Sequence, residues 1–173
     1  MLTKIFSNLF RFIVLLLVQI LILNRIEVPL FFTPIIYPLF LIRLPFEIPR
    51  WLLLVIAFSA GAIVDSFFDS GGINAAACVA AAYSRQWIYF IFRPAGGYEP
   101  THKPTISSMG ARWFVSVTIL ILFIHHFIFY ILQIFSFRLF FHLFFKIFIT
   151  TLFSILLVLL SEFLFNKKKV RAS

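Results

Sequence analysis

The ionisable side chains that could do chemistry are few, and they stand inside strongly apolar sequence. Asp65 and Asp69 lie one helical turn apart, as do His142 and Lys146, and residues at that spacing share a helix face. A charge inside a bilayer costs at least ~2.5 kcal/mol, so each one needs a partner or a task. One hypothesis is an ion or proton relay. We favour the other, buried polar groups that fix helix register, because no carboxylate is predicted near mid-membrane.

The adjacent residues His125 and His126 are the next candidates, as metal ligands. Neighbouring side chains on a helix point about 100° apart, so both rings cannot easily face one ion. The single cysteine, Cys78, excludes a disulfide within the chain and a cysteine-based zinc site. The sequence also has no G-x-S-x-G motif and no phosphate-binding loop. We therefore predict no catalytic residue, no metal and no cofactor, and the protein is not expected to be an enzyme.

Composition indicates an all-α integral membrane protein formed by one polytopic domain over residues 1–173. The chain is 62% hydrophobic and only 12% charged, with a mean hydropathy of +1.07, whereas a soluble domain is about 25% charged. The net charge of +9 comes from basic residues scattered at the ends of apolar runs. That distribution is typical of topology signals and of attraction to anionic lipid, and it does not indicate nucleic-acid binding.

The apolar runs predict a bundle of six transmembrane helices, because about 20 residues cross the hydrocarbon core. The first run lacks a small-x-small cleavage site, so we interpret it as a retained helix and not as a signal peptide. The second is short and contains Pro34 and Pro38, so it is expected to be kinked or only partly embedded. The predicted spans are residues 5–23, 29–44, 51–68, 74–92, 109–135 and 140–165.

Lysine and arginine counts predict the orientation of this bundle. With six spans, one set of connecting segments carries twelve basic residues and the opposite set carries two, Arg25 and Arg138. Both termini are therefore expected in the cytoplasm. The twelve are Lys4, Arg11, Arg43, Arg50, Arg85, Arg93, Lys103, Arg112, Lys167, Lys168, Lys169 and Arg171.

This orientation sorts the buried charges by depth. Asp65 is predicted at the outer end of its span, and Arg85 in the inner half of the next, antiparallel span. The two should differ in depth by roughly 10 Å and should not pair. We expect Glu162 to pair with Arg85 or Arg11, since all three lie in inner halves. We expect Lys146 or a histidine to pair with Asp65.

Small residues are concentrated in the stretch 61–87, GAIVDSFFDSGGINAAACVAAAYSRQW. Gly61 and the alanines at 75–77 and 80–82 predict close packing of the third and fourth spans, and part of this surface could receive a helix from another protein. The candidate partner-binding residues are Gly61, Asp65, Asp69, Asn74, Ala76 and Ala80. The candidate buried polar residues that fix register are Arg11, Arg85, His125, His126, His142, Lys146 and Glu162.

From about residue 50 onward the chain resembles the rod shape-determining protein MreD family, in particular its members from the Bacteroidota. The resemblance rests on the Asp-containing stretch quoted above, the loop FRPAGGYEPTHKPTISSMGARWF and the span ILFIHHFIFYILQIFSF. It implies a non-enzymatic scaffold in the bacterial inner membrane that maintains rod shape through the cell-elongation machinery for lateral wall synthesis. The implied partners are MreC directly and, through it, MreB, RodA and its penicillin-binding transpeptidase.

The resemblance also supports a second hypothesis. The MreD family is similar in architecture to the six-helix substrate-binding components of energy-coupling vitamin transporters, so the chain could be a small-molecule uptake component. Such a protein buries its ligand in an apolar cavity with a few convergent polar groups, and candidates for these are Asp65, Asp69, Asn74, His125 and His126. The outer loops are too short to form an obvious lid, so we prefer shape determination.

Overall fold

The computed structural model describes residues 2–23, 34–99, 101–134 and 140–165, and this part of the chain is all α-helical. Four helices begin and end within two residues of the spans predicted at 51–68, 74–92, 109–135 and 140–165. The helices are α1 (Leu2–Leu21), α2 (Leu39–Arg43), α3 (Arg50–Phe68), α4 (Ile73–Ile91), α5 (Ile106–Met109), α6 (Ala111–Ile134) and α7 (Phe140–Phe165).

Three of the described helices are long and apolar enough to cross a membrane, which is half the predicted number. They are α3, α6 and the part of α7 from Phe141 to Phe163. The described apolar part of α1, Asn8–Leu21, is shorter than a span. Helix α4 carries alanines in place of bulky side chains and includes the charged residue Arg85. These features support a membrane protein, and they do not show six spans.

The predicted second span, 29–44, differs most from the structure. Residues 29–33 lie outside the described part of the chain, and residues 34–44, which we call the core segment, contain only the five-residue helix α2. Pro34 and Pro38 explain the break, because proline lacks a backbone donor and restricts the residue before it. The apolar side chains of the core segment are at most 6% exposed, so it lies inside the protein and not against lipid.

Side chains from α1 and α7 satisfy the irregular backbone of the core segment. The Gln19 side-chain amide donates to the Pro34 carbonyl at 3.0 Å and accepts from the Ile36 amide at 2.9 Å. Ser154 Oγ accepts from the Ile35 amide at 3.0 Å. Non-helical backbone at membrane depth is tolerated only where protein groups replace water in this way.

Helices α3 and α4 form an antiparallel hairpin around a tight turn. Helix α3 ends at Phe68, and its C-cap residue Asp69 has a φ of 50°. Gly71 and Gly72 follow with φ of 63° and 92°, values that glycine adopts without steric cost. Within the hairpin, a Cβ added to Gly61 would lie 2.4 Å from Ala75 Cα and 2.6 Å from Ala75 N. The predicted close approach of these two helices is confirmed.

Helix α4 packs against α3 on one side and α6 on another, and α7 packs against α6. The outward surfaces carry large apolar side chains such as Phe141, Phe148 and Phe163, which are 66–89% exposed. A soluble protein does not expose a surface of this kind over several helices. Lipid is therefore the natural solvent for these faces.

Candidate functional site

An open groove of about 750 Å³ runs along the surface between α3 and α4. Five of its ten lining residues are glycine or alanine, and these short side chains keep the groove from being filled by the protein itself. The lining residues are Leu54, Phe58, Ala62 and Asp65 of α3 and Gly72, Ala75, Ala76, Val79, Ala80 and Tyr83 of α4.

The length of the groove corresponds to three turns of an α-helix. Its lining spans residues 54–65 on α3 and 72–83 on α4, which is about 16 Å, or three helical turns, on each wall. Small residues at a helix surface allow another backbone to approach closely, and this is how helices associate within a bilayer.

The alanines of α4 are divided between a buried face and this groove. Ala77, Ala81 and Ala82 are 0% exposed. In contrast, Ala76 is exposed and Ala80 is half-buried, and both line the groove. The two alanines predicted to bind a partner thus lie on open surface, next to alanines that pack inside the protein.

Asp65 closes one end of the groove and caps α4. Its Oδ1 accepts from Ser70 Oγ at 2.5 Å and from both the backbone and side-chain nitrogens of Asn74 at 3.0 Å. Its Oδ2 accepts from the Ala75 amide at 2.9 Å. The N-cap residue of α4 is Gly72, which has no side chain to offer, so a carboxylate from the preceding helix satisfies the first amides and meets the positive end of the helix dipole.

The prediction that Lys146 or a histidine pairs with Asp65 is therefore wrong. The amides and hydroxyl of its own hairpin satisfy this carboxylate without the desolvation of a second charge. Lys146 Nζ instead lies 4.7 Å from the centre of the Tyr130 ring, a cation–π distance. His142 is exposed on α7. Asp69, predicted on the same face as Asp65, is exposed because α3 ends before it.

A buried hydrogen-bond chain continues from Asp65 through Asn74 into the core. Asn74 Oδ1 accepts from Tyr37 Oη at 2.9 Å, and Tyr37 Oη lies 3.0 Å from His125 Nε2. Since Tyr37 has one proton and gives it to Asn74, the hydrogen on His125 Nε2 must donate to the Tyr37 oxygen. Cys78 Sγ lies 3.8 Å from both groups. Sequence reasoning missed Tyr37, because its segment was predicted as a kinked or partly embedded span and not as part of the core.

The two adjacent histidines have separate partners, as their angular separation predicts. His126 Nδ1 donates to the Leu122 carbonyl at 2.6 Å, and its Nε2 lies 3.3 Å from Ser154 Oγ. Both rings are 0% exposed. Across the parts of the chain that the structure describes, no three His, Cys, Asp or Glu side chains are grouped to hold a metal ion.

The other end of the bundle, the arginine end, holds Arg43, Arg85 and Glu162. Glu162 forms a buried salt bridge with Arg43, in which the two side chains are 1% and 9% exposed. The expectation that it pairs with Arg85 or Arg11 is wrong. Arg43 was assigned to a loop, whereas the core segment carries it inward to face α7.

Arg85 hydrogen-bonds to backbone carbonyls instead, through one terminal nitrogen of its guanidinium. Its guanidinium donates to Leu44 O at 2.5 Å and Pro45 O at 3.1 Å and lies 4.4 Å from the Tyr89 ring centre. Arg11 donates to Asn8 Oδ1 at 3.0 Å. Asp65 and Arg85 thus have separate partners at opposite ends of α4, as the depth argument expects.

An aromatic cluster at the arginine end fixes the loop after α4. The Phe46 and Tyr98 rings stack at 4.2 Å, and Trp113 Nε1 donates to the Phe92 carbonyl at 2.9 Å. Burial raises the pKa of the Tyr98 phenol, which keeps it protonated as it donates to the Tyr89 carbonyl at 2.7 Å. The rings of this cluster contact one another, and together they stabilise the loop.

A scan against protein-family models found no match for this chain, and searches of the curated proteins and of the solved structures found none. The candidate site therefore rests on geometry: buried polar groups engaged within the protein, beside an open surface of small residues.

Proposed function

We propose that this protein is a non-enzymatic membrane scaffold whose α3–α4 groove receives a transmembrane helix of a partner protein. The observation that supports this most is the position of Ala76 and Ala80, which line an open groove of helical dimensions. The polar chain Asp65–Asn74–Tyr37–His125 is hydrogen-bonded within the protein. A surface for helices fits this arrangement better than a pocket for chemistry does.

We further propose that the partner is MreC, because the chain resembles the MreD family from about residue 50 onward. The scaffold would then act in the cell-elongation machinery for lateral wall synthesis and maintain rod shape, with MreB, RodA and its penicillin-binding transpeptidase reached through MreC. In this proposal the protein is a multi-pass protein of the bacterial inner membrane with both termini in the cytoplasm.

The proposed bundle has six helices, of which three are the apolar helices α3, α6 and α7. We place α4 across the membrane as well, since it packs between α3 and α6 and its most polar residue, Arg85, is 2% exposed. Neighbouring protein thus shields from lipid the polar groups that lower its hydropathy. Helix α1 and the short helix α2 of the core segment complete the count.

The groove is tested with the double variant Ala76→Leu, Ala80→Leu. Two leucines would replace small residues on its α4 wall and keep a helix from approaching closely, so we expect MreC to be lost on copurification while the variant still inserts in the membrane. Ser59→Leu is the matched control, because Ser59 is an exposed small residue of α3 that does not line the groove. An intact complex in the double variant would show that MreC binds elsewhere.

Depletion of the protein separates the two functional hypotheses. We expect depleted cells to become round while vitamin uptake stays normal. Unchanged shape with loss of uptake of one nutrient would instead establish the small-molecule uptake component. That alternative has less support, because the polar groups it would need at Asp65, Asn74 and His125 are linked by hydrogen bonds within the protein.

A further inference from the structure

We infer that the helix bound in the groove carries a lysine or arginine at the end that lies beside Asp65 and Asp69. This inference rests on the proposed function and specifies the chemistry of the partner. It follows from the acceptor capacity of Asp65, the position of Asp69 and the lack, among the described residues, of a salt bridge to either carboxylate.

Asp65 keeps one accepting position, on Oδ2. Each carboxylate oxygen has two lone pairs. Oδ1 accepts three hydrogen bonds, whereas Oδ2 accepts one, from the Ala75 amide. The side chain lines the groove although the residue is only 8% exposed. A donor on a bound helix would therefore find a fixed acceptor there.

The groups that donate hydrogen bonds to Asp65 are neutral: the Ser70 hydroxyl, the Asn74 backbone and side-chain nitrogens and the Ala75 amide. Among the described residues, the salt bridges are Arg43–Glu162 and His102–Glu99, and neither involves this carboxylate. A hydrogen bond between an ammonium or guanidinium and a carboxylate is about twice as strong as a neutral one. A cationic donor therefore complements this end of the groove better than a hydroxyl or amide.

Asp69 adds a second negative charge at the same end, at a position that local energetics disfavour. It is exposed, it follows the last residue of α3, and its φ is 50°. A carboxylate at a helix C-terminus opposes the helix dipole, although aspartate adopts the left-handed conformation more readily than most residues. In the described part of the chain its side chain makes no hydrogen bond or salt bridge. Attraction of a cationic partner accounts for an aspartate at this position.

Charge complementarity also separates a partner helix from other occupants. A lipid acyl chain could lie in the apolar part of the groove, but two carboxylates would repel its phosphate group. A second copy would need to insert a different surface into the groove, and such head-to-tail contacts repeat from copy to copy until they close a ring or form an open filament. One helix of a different protein fills the groove and ends the assembly.

The test uses designed single-pass probes, leucine-rich helices of about 20 residues with Lys, Met or Glu one turn from the end. Binding is measured by energy transfer between labelled probe and full-length protein in phosphatidylcholine vesicles. We expect the Lys probe to bind about 3- to 20-fold more tightly than the Met probe, the range for single polar contacts between membrane helices. The Glu probe should bind more weakly than the Met probe.

Variants of the protein assign this difference to the two carboxylates. In Asp65→Asn and in Asp69→Asn the preference for Lys over Met should shrink, and in the double variant it should disappear while Met-probe binding is retained. Asp69→Asn is the safer variant, because it leaves the cap of α4 intact. Equal binding of the Lys and Met probes to the unmodified protein would overturn the inference.

The Ala76→Leu, Ala80→Leu variant makes the two failures distinguishable. If the Lys and Met probes bind the unmodified protein equally and neither binds the double variant, the helix-docking function stands and only the inferred charge is wrong. If the double variant releases neither, the groove is not a docking surface and both proposals fail. Energy transfer can also be measured between labelled copies of the protein. If it occurs and the double variant abolishes it, the occupant of the groove is a second copy, which also overturns the inference.

Discussion

The two faces of α4 have nearly the same composition and different surroundings. On the buried face, Ala77, Ala81 and Ala82 are 0% exposed, and their small size lets α4 pack closely within the bundle. On the groove face, Ala76 and Ala80 meet no such neighbour. A run of alanines therefore permits close approach on all sides of a helix, and the neighbouring helices determine which side is left open for another protein.

The rotation of α4 about its own axis decides which alanine faces which way. Asp65 contributes to that rotation because it binds the amides of Asn74 and Ala75 at the first turn. Gly61 contributes through its backbone contact with Ala75. Substitutions at these positions and on the two faces of α4 test whether one face is packed and the other open.

Gly61→Leu should have the largest effect on stability. A side chain there collides with the backbone of Ala75, which cannot move without separating α3 from α4. We expect the free energy of unfolding, measured by denaturant titration in detergent micelles, to fall by more than about 3 kcal/mol. Gly61→Ala should give a smaller loss in the same direction, and unchanged stability of both variants would contradict the described packing.

Ala81→Leu on the buried face should have the second largest effect. We expect its free energy of unfolding to fall by about 2 kcal/mol, because the core becomes overpacked. Ala81 is 0% exposed, so the added side chain has no free space. The same titration measures it, with Ala80→Leu as the neighbouring comparison. If both leucines cost the same, the division of α4 into two faces is wrong.

Asp65→Asn should cost about 1 kcal/mol, the usual value of a helix cap. The amide keeps an oxygen for one donor, but its NH₂ group cannot accept from the second amide of α4. Amide hydrogen exchange in the first turn of α4 should rise more than exchange in α6. Uniform exchange across the protein would indicate that Asp65 acts on the whole bundle and not on this cap.

Ala80→Leu on the groove face should change stability least, by no more than about 0.5 kcal/mol, because Ala80 lines the open groove and the added side chain removes no internal contact. Its effect should appear only in the binding of a partner helix. A large loss of stability in this variant would mean that the protein itself closes the groove.

Local patterns were enough to predict the main helices and the closest contact between them. Hydropathy placed α3, α4, α6 and α7 within two residues of their observed ends, because each element is defined by residues adjacent in sequence. Gly61 and the alanine run predicted the α3–α4 contact for the same reason. The hydropathy pattern overestimated the length of helix in the core segment, where Pro34 and Pro38 leave only a five-residue helix.

The partners of the buried polar groups could not be predicted in this way. The Ile35 amide finds Ser154, 119 residues away, and Glu162 finds Arg43 and not Arg85. Such pairs depend on the depth and rotation of elements that are distant in sequence, and several partners of suitable chemistry are available to each charge. Rotation also decides that Ala76 and Ala80 face the groove.

The sequence by itself thus determined that the chain is helical, that it is apolar enough for a membrane, and that its smallest side chains lie at Gly61 and the alanines of α4. These properties follow from side-chain volume and polarity, which are local. The tertiary structure alone decided that Asp65 caps the next helix, that residues 34–44 form the inside of the protein, and that one face of α4 stays open. These features arise because packing leaves each polar group only the partners that its depth allows.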